Sequence, residues 1–381
     1  MMPESIRKFL QWVWPCLVFA ALGFGLMLCM HWCSTQQLRY YLQYISPISL
    51  EVGFIILALA IFLNSNRLLT EFKKIPNLTW AVVALITLLS FWLSHWVAPR
   101  THRIFYDEDI YQDIALNITY NHQAAMVNDG SWEFGEFKAS RTEYNKQPNG
   151  WPVLISLSYR LFGASEAVAH NLVNLLFPLA VGLIFLCGVW LFNSPTAGVF
   201  AAAIYALIPE NSLWFSTTAV EPVTAVFTLL AVASFLFFIK SRSTPSLLLA
   251  VVALALAVQF RPEVILIAGL VFLIILAEAS DEYKNVRIYW LAALFAVLIF
   301  SHIFHLYAVR GESWGSGGAK FASEYFWHNL GTNTRYYINS DRFPVLFTAL
   351  ALVGLIHCGI KNHRVVALYN VTWFLLAWGV F

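Results

Sequence analysis

Residues 166–192 read EAVAHNLVNLLFPLAVGLIFLCGVWLF. After Glu166 the run holds no charged side chain. An α-helix rises about 1.5 Å per residue, so about 20 apolar residues cross the roughly 30 Å hydrocarbon layer of a bilayer. This stretch is long enough to do so, and the chain around it is of the same kind. Of the 381 residues 59% are hydrophobic and only 12% charged, against about 25% charged in a soluble domain. Mean hydropathy is +0.66. Such a chain cannot cover its own surface in water, and the composition predicts an all-α polytopic membrane protein. Phe 31, Tyr 16 and Trp 15 suit the aromatic belts of a membrane interface. The net charge of +2 gives no electrostatic case for nucleic acid. The cysteines Cys16, Cys29, Cys33, Cys187 and Cys358 lie in or beside apolar runs and read as small buried hydrophobes.

Working outward, apolar runs predict about eleven spans: 9–31, 48–63, 78–98, 166–192, 197–208, 217–239, 247–260, 264–279, 289–309, 343–360 and 365–381. The runs at 197–208 and 247–260 are short and read as half-helices or partial crossings. The first run is too long for a cleavable leader. With Arg7 and Lys8 in the cytoplasm, the short loops on that side hold Arg67, Lys73, Lys74, Lys240, Arg242, Lys284, Arg287, Lys361 and Arg364. This density of basic residues in short connections sets the orientation. The chain divides into N-terminal spans (1–98), an outer loop (99–165), a membrane core (166–309), a second outer loop (310–342) and C-terminal spans (343–381). The second loop contains Gly315-Ser316-Gly317-Gly318, which can bend. The chain stops at Phe381 inside an apolar run, so a further C-terminal part is expected.

Four stretches could carry chemistry. Residues 100–118, RTHRIFYDEDIYQDIALNI, follow the third span. Ile110, Ile114 and Ile118 recur every fourth residue, the mark of an amphipathic helix along the membrane surface. Asp107 stands at its expected cap, with Glu108 and Asp109 beside it, so Asp107 is either a general base or a capping acid. Residues 144–154, YNKQPNGWPVL, form a turn returning to the membrane; Lys146 either meets an anion or snorkels. Glu221 in 217–224, TTAVEPVT, opens the sixth span, with Glu210 nearby. A carboxylate there must face protein or water. Arg261, in Arg261-Pro-Glu263, either forks onto a phosphate or pairs with Glu221 or Glu263. Histidines 95, 102, 122, 170, 302, 305 and 328 are scattered without a metal-binding spacing, so nothing requires a divalent cation although carboxylates and imidazoles are at hand. Asn117-Ile-Thr119 matches a glycosylation sequon. No phosphate-binding glycine loop is present.

In this order, an outer Asp-Glu pair, a helix with Tyr and Ala, the Lys146-Gln147-Pro148 turn and Leu161-Phe-Gly-Ala-Ser-Glu166 before a long span, the chain resembles the family 39 glycosyltransferases of the GT-C fold. These include protein O-mannosyltransferases and the aminoarabinose transferases that modify lipid A. The resemblance covers about 100–280. It implies a GT-C-type helical bundle with amphipathic helices in the first large outer loop, and a polyprenyl-phosphate sugar as donor. It implies that Asp107 is the base with Glu108 beside it, that Glu221 is a second acid and that Arg261 lies near the lipid phosphate. Arg103, Tyr106 and Lys146 are further substrate-binding candidates. The family more often has Asp at the position of Glu221 and Lys-Pro-Pro at the turn, and usually places this loop after its first span, so 9–63 reads as an added pair. The implied reaction is a single displacement with inversion, without a nucleotide sugar. The acceptor hydroxyl belongs to a protein, a glycolipid or a cell-wall polymer. The implied location is a plasma (inner) membrane with the site outward, or the endoplasmic reticulum in a eukaryote. Two other classes stand against an enzyme. A transporter or flippase places charge at mid-membrane, often with repeat symmetry. A scaffold tolerates loss of Asp107 and Arg261.

Overall fold

The computed structural model describes residues 4–312, 323–338 and 343–360. The expected span at 365–381 and the Gly315–Gly318 segment lie outside them. The helices are α1 (Glu4–Trp32), α2 (Thr35–Phe72), α3 (Asn77–Trp92), α4 (Phe105–Asn121), α5 (Gly150–Phe162), α6 (Glu166–Phe192), α7 (Pro195–Leu207) and α8 (Pro209–Trp214). They continue with α9 (Val220–Ser241), α10 (Thr244–Phe260), α11 (Ile265–Glu278), α12 (Val286–Leu298), α13 (Phe300–Ala308), α14 (Ser323–Ile338) and α15 (Val345–Ile360). Between α4 and α5 stand two strands, β1 (Met126–Glu133) and β2 (Glu136–Glu143).

Among the described residues five helices are long and apolar enough to cross a membrane, and a sixth span arises if α12 and α13, bent by 42°, act as one. The stretches 197–208 and 247–260 fall in shorter apolar helices, as their length predicts. Helix ends follow local rules. Ser165, Ser194 and Ser243 cap α6, α7 and α10 with their hydroxyls, and Pro195 occupies the first turn of α7. Asn193 and Arg242 end α6 and α9 in the left-handed region, turning the chain sharply between spans.

The core is centred on α10, where every residue from Leu249 to Phe260 except Val251 is buried. A helix apolar on all sides belongs inside a bundle, and α10 packs against α9, α2 and α12. Glycine permits close approach where α6 meets α7. A Cβ on Gly188 would come within 2.8 Å of the Gly198 Cα. Helix direction then sorts the loops. The turns after α2, α9 and α11 meet at one end, where Lys240 pairs with Glu71 at 2.9 Å and Arg242 with Asp281 at 3.7 Å. The start of α6, the start of α9, the end of α10 and the whole of α4 and α5 meet at the other.

The outer loop corrects two expectations. The apolar stripe of α4 does not lie on lipid. Ile110, Ile114 and Ile118 are buried in the protein core, where α4 packs on α5. Asp107 is not the cap; Ile104 holds that position and Asp107 sits inside the first turn. Between α4 and α5 the loop forms an antiparallel hairpin of β1 and β2. Its tight turn places Phe134 and Gly135 at positive φ. Its residues are mostly exposed and alternate too weakly to be read from sequence.

Candidate active site

The site is built where the segment before α4 meets the start of α9. Glu108 ties the two together. It is fully buried. One oxygen accepts from the Arg103 and Ile104 amides at 2.7 and 3.0 Å. The other accepts from the Thr218 amide at 2.8 Å and the Thr218 hydroxyl at 2.9 Å. Both oxygens are therefore used, and Glu108 fixes the chain around Asp107. Its carboxylate also lies at the amino end of α9, where helix amides favour negative charge.

Asp107 projects from the same turn and is half-exposed. It has no hydrogen-bond or ion-pair partner among the described residues. Its charge bears on the Tyr111 hydroxyl and on Glu221. The Tyr111 hydroxyl is pushed well above its ordinary range, chiefly by burial, with Asp107 adding and Arg261 opposing. It donates to Gln147 at 3.1 Å, which brings the turn 144–149 against α4. Tyr106, next to Asp107, is 74% exposed.

Arg261 ends α10 in extended backbone and its guanidinium hydrogen-bonds Glu221. Of the readings open for Arg261, the ion pair with Glu221 is the arrangement present. The pair is half-buried, and Glu221 Oε2 is buried without a hydrogen-bond partner among the described residues. The pair thus keeps a forked cation and an unsatisfied acceptor at the end of the bundle that carries Asp107. The charges of Asp107, Arg261, Glu221 and Glu263 all bear on Tyr111, so the four lie within electrostatic reach of one hydroxyl.

Lys146 stands in a turn held from behind. The Lys146 carbonyl faces His305 Nε2 at 3.0 Å, and the Tyr144 hydroxyl faces His305 Nδ1 at 2.6 Å. A carbonyl only accepts, so Nε2 carries the proton and Nδ1 accepts from Tyr144. Trp151 donates to the Thr218 carbonyl at 2.8 Å, joining α5 to the same corner. Gly150 makes that junction close, because a Cβ there would lie 2.5 Å from the Gln259 carbonyl oxygen. Arg103 points elsewhere. It pairs with Glu210 at 2.7 Å and lies 4.3 Å over Trp214. Asn117 of the sequon is buried and donates to the Ala125 carbonyl at 2.9 Å, so the folded chain does not present it.

Sequence reasoning missed the positioning role of Glu108, the anchor His305 and a meeting of His102 with Glu166 and His170. In the last, His102 Nε2 lies 2.9 Å and His170 Nε2 3.4 Å from Glu166 Oε1. The signal for it was present, since Glu166 and His170 are four apart on one helix face.

Residues 146–305 match the family model described as dolichyl-phosphate-mannose-protein mannosyltransferase. The matched segment holds Lys146, Glu221 and Arg261 and begins after the helix that carries Asp107. Neither curated proteins nor solved structures give a match.

Proposed function

We propose that this chain, a membrane glycosyltransferase of the GT-C kind, takes its sugar from a polyprenyl-phosphate carrier and passes it to an acceptor hydroxyl on the extracytoplasmic side. Asp107 removes the hydroxyl proton as the oxygen attacks the anomeric carbon. The bond from that carbon to the phosphate oxygen breaks, and the polyprenyl phosphate leaves with the electron pair. Arg261 exchanges its contact with Glu221 for the phosphate and offsets the growing charge. Lys146 meets the same phosphate from its anchored turn, and Tyr106 borders the acceptor's approach. Glu108 holds the Asp107 turn in place. A single displacement inverts the anomeric carbon.

The observation that carries this reading is the half-exposed Asp107 carboxylate, without a partner among the described residues and within electrostatic reach of the Arg261–Glu221 pair, at the end of the bundle opposite the basic loops. The positive-inside argument supports placing that end outside, in a plasma membrane or, in a eukaryote, facing the lumen of the endoplasmic reticulum. A transporter would carry its charges at mid-membrane, whereas here the charged groups lie toward the ends of the bundle, with Asp107, Glu221 and Arg261 together at one of them.

The test uses purified protein in lipid nanodiscs with radiolabelled polyprenyl-phosphate sugars and a membrane extract as acceptor. Label is expected in product, with the anomeric configuration inverted. Retained configuration would overturn the single displacement. Absence of transfer from every donor, with the protein folded, would overturn the donor assignment.

A further inference from the structure

We propose that His102, Glu166 and His170 bind a zinc ion that fastens the segment carrying Asp107 to α6. The three side chains come from two elements: His102 from the stretch before α4, Glu166 and His170 from the first turns of α6. Their ligand atoms all lie within 4.8 Å of one another. Two of the separations, 2.9 and 3.4 Å, bracket the roughly 3.3 Å expected between ligands of a tetrahedral zinc with bonds of about 2.0–2.1 Å.

The hydrogen bonding around the histidines argues for a cation and not only for a neutral network. His170 Nδ1 lies 2.9 Å from the Ser216 carbonyl oxygen. That oxygen can only accept, so Nδ1 carries the proton. In the neutral ring the Nε2 lone pair then points at the Glu166 carboxylate, acceptor against acceptor. On the other ring, His102 Nδ1 lies 3.4 Å from Glu108 Oε2 while Nε2 faces Glu166. Each imidazole therefore turns one nitrogen toward Glu166 and sets the other against an oxygen. For His170, whose Nδ1 is held by the Ser216 carbonyl, this is the outer support that metal-binding histidines use to fix tautomer and ring direction. The two rings stand nearly perpendicular, 5.8 Å apart at 78°, so both can aim at a common point. His170 is buried, and Glu166, 61% exposed at its side chain, leaves one side open for water as a fourth ligand. Two imidazoles and one carboxylate suit zinc better than calcium or magnesium.

His102 lies five residues before Asp107 in the same segment, so the ion acts by positioning that segment. The proposal stands apart from the choice of sugar donor. The test takes the full chain in nanodiscs, strips it with chelator, confirms its melting transition, and adds zinc or cobalt(II). Elemental analysis is expected to find about one zinc per chain, and cobalt is expected to give the visible absorption of a four-coordinate ion. His170→Ala and Glu166→Gln should both lose metal and absorption, whereas Asp107→Asn should keep them. Glu166→Gln replaces an exposed carboxylate and serves as the variant that folds. A folded, stripped wild type that takes up neither metal would overturn the proposal. So would uptake that persists undiminished in both variants.

Discussion

Glu108→Ala tests whether one buried carboxylate holds the outer loop on the bundle. Removing the side chain strands the Thr218 amide and hydroxyl inside the protein and the Arg103 and Ile104 amides at its edge. A buried donor left without an acceptor costs about 1–3 kcal/mol. Thr218 is fully buried and bears the full cost, while Arg103 and Ile104 are half-buried and recover part of theirs from water. The sum is about 3–5 kcal/mol, the range for breaking a buried charged network by removal of one partner. At about 1.4 kcal/mol per tenfold change, local opening should rise by about a hundredfold to a few thousandfold. Hydrogen–deuterium exchange in nanodiscs reads this directly. Protection should fall in residues 102–108 and 216–220 and remain in α10. Glu108→Gln keeps one acceptor but turns an amide toward the Thr218 N–H, so its effect should be intermediate. Exchange in Glu108→Ala within about threefold of wild type would refute the reasoning, since that shift is under 1 kcal/mol.

Other outcomes follow from the same geometry. Gly150→Ala forces a Cβ against the Gln259 carbonyl oxygen and should cost about 1–3 kcal/mol by overpacking, seen as a lower melting temperature; an unchanged transition would contradict the close approach of α5 and α10. Burial raises the Asp113 carboxyl above its ordinary range although the Val127 amide opposes this. A raised acid contributes its stability below the unfolded value of about 3.9 and loses it as pH climbs through the folded value, so ionised Asp113 weakens the fold at neutral pH. Asp113→Asn, which keeps an acceptor for Val127, should therefore raise the melting temperature at pH 7 and gain least near pH 4; a gain that grows on acidification would reverse the argument. Arg261→Gln can still hydrogen-bond Glu221 but carries no charge, and transfer should drop about 10²–10³-fold with the melting temperature held; activity close to wild type would remove Arg261 from the phosphate.

Much of this architecture was legible because membrane crossing is a one-dimensional constraint. The run 166–192 needs only its own length and apolarity to announce α6, and the weakness of 197–208 and 247–260 announced the short α7 and α10. The period of Ile110, Ile114 and Ile118 gave helix α4. It could not tell protein from lipid as the covering surface, because both are apolar, and the stripe proved to face α5. The hairpin stayed hidden because strands β1 and β2 bury little and pair chiefly through backbone. For the site, Asp107, Glu221 and Arg261 could be picked out as charges at span ends, where ionisable groups are costly. The division of labour between Asp107 and Glu108 could not. It depends in part on Thr218, more than a hundred residues away, whose amide and hydroxyl fill one Glu108 oxygen while the Arg103 and Ile104 amides fill the other. The Glu166–His170 spacing was visible, but its partner His102 belongs to another element.

The account rests most heavily on Asp107 as the base, and the direct measurement is sugar transfer by Asp107→Asn beside wild type at saturating polyprenyl-phosphate donor. Loss of a general base predicts a fall in kcat of about 10²–10⁴-fold. Melting temperature, exchange protection of 102–108 and donor binding should be unchanged, because the Asp107 carboxylate has no hydrogen-bond or ion-pair partner among the described residues. Activity within a few-fold of wild type, in a variant shown to be folded, would contradict the assignment and with it the displacement built on it.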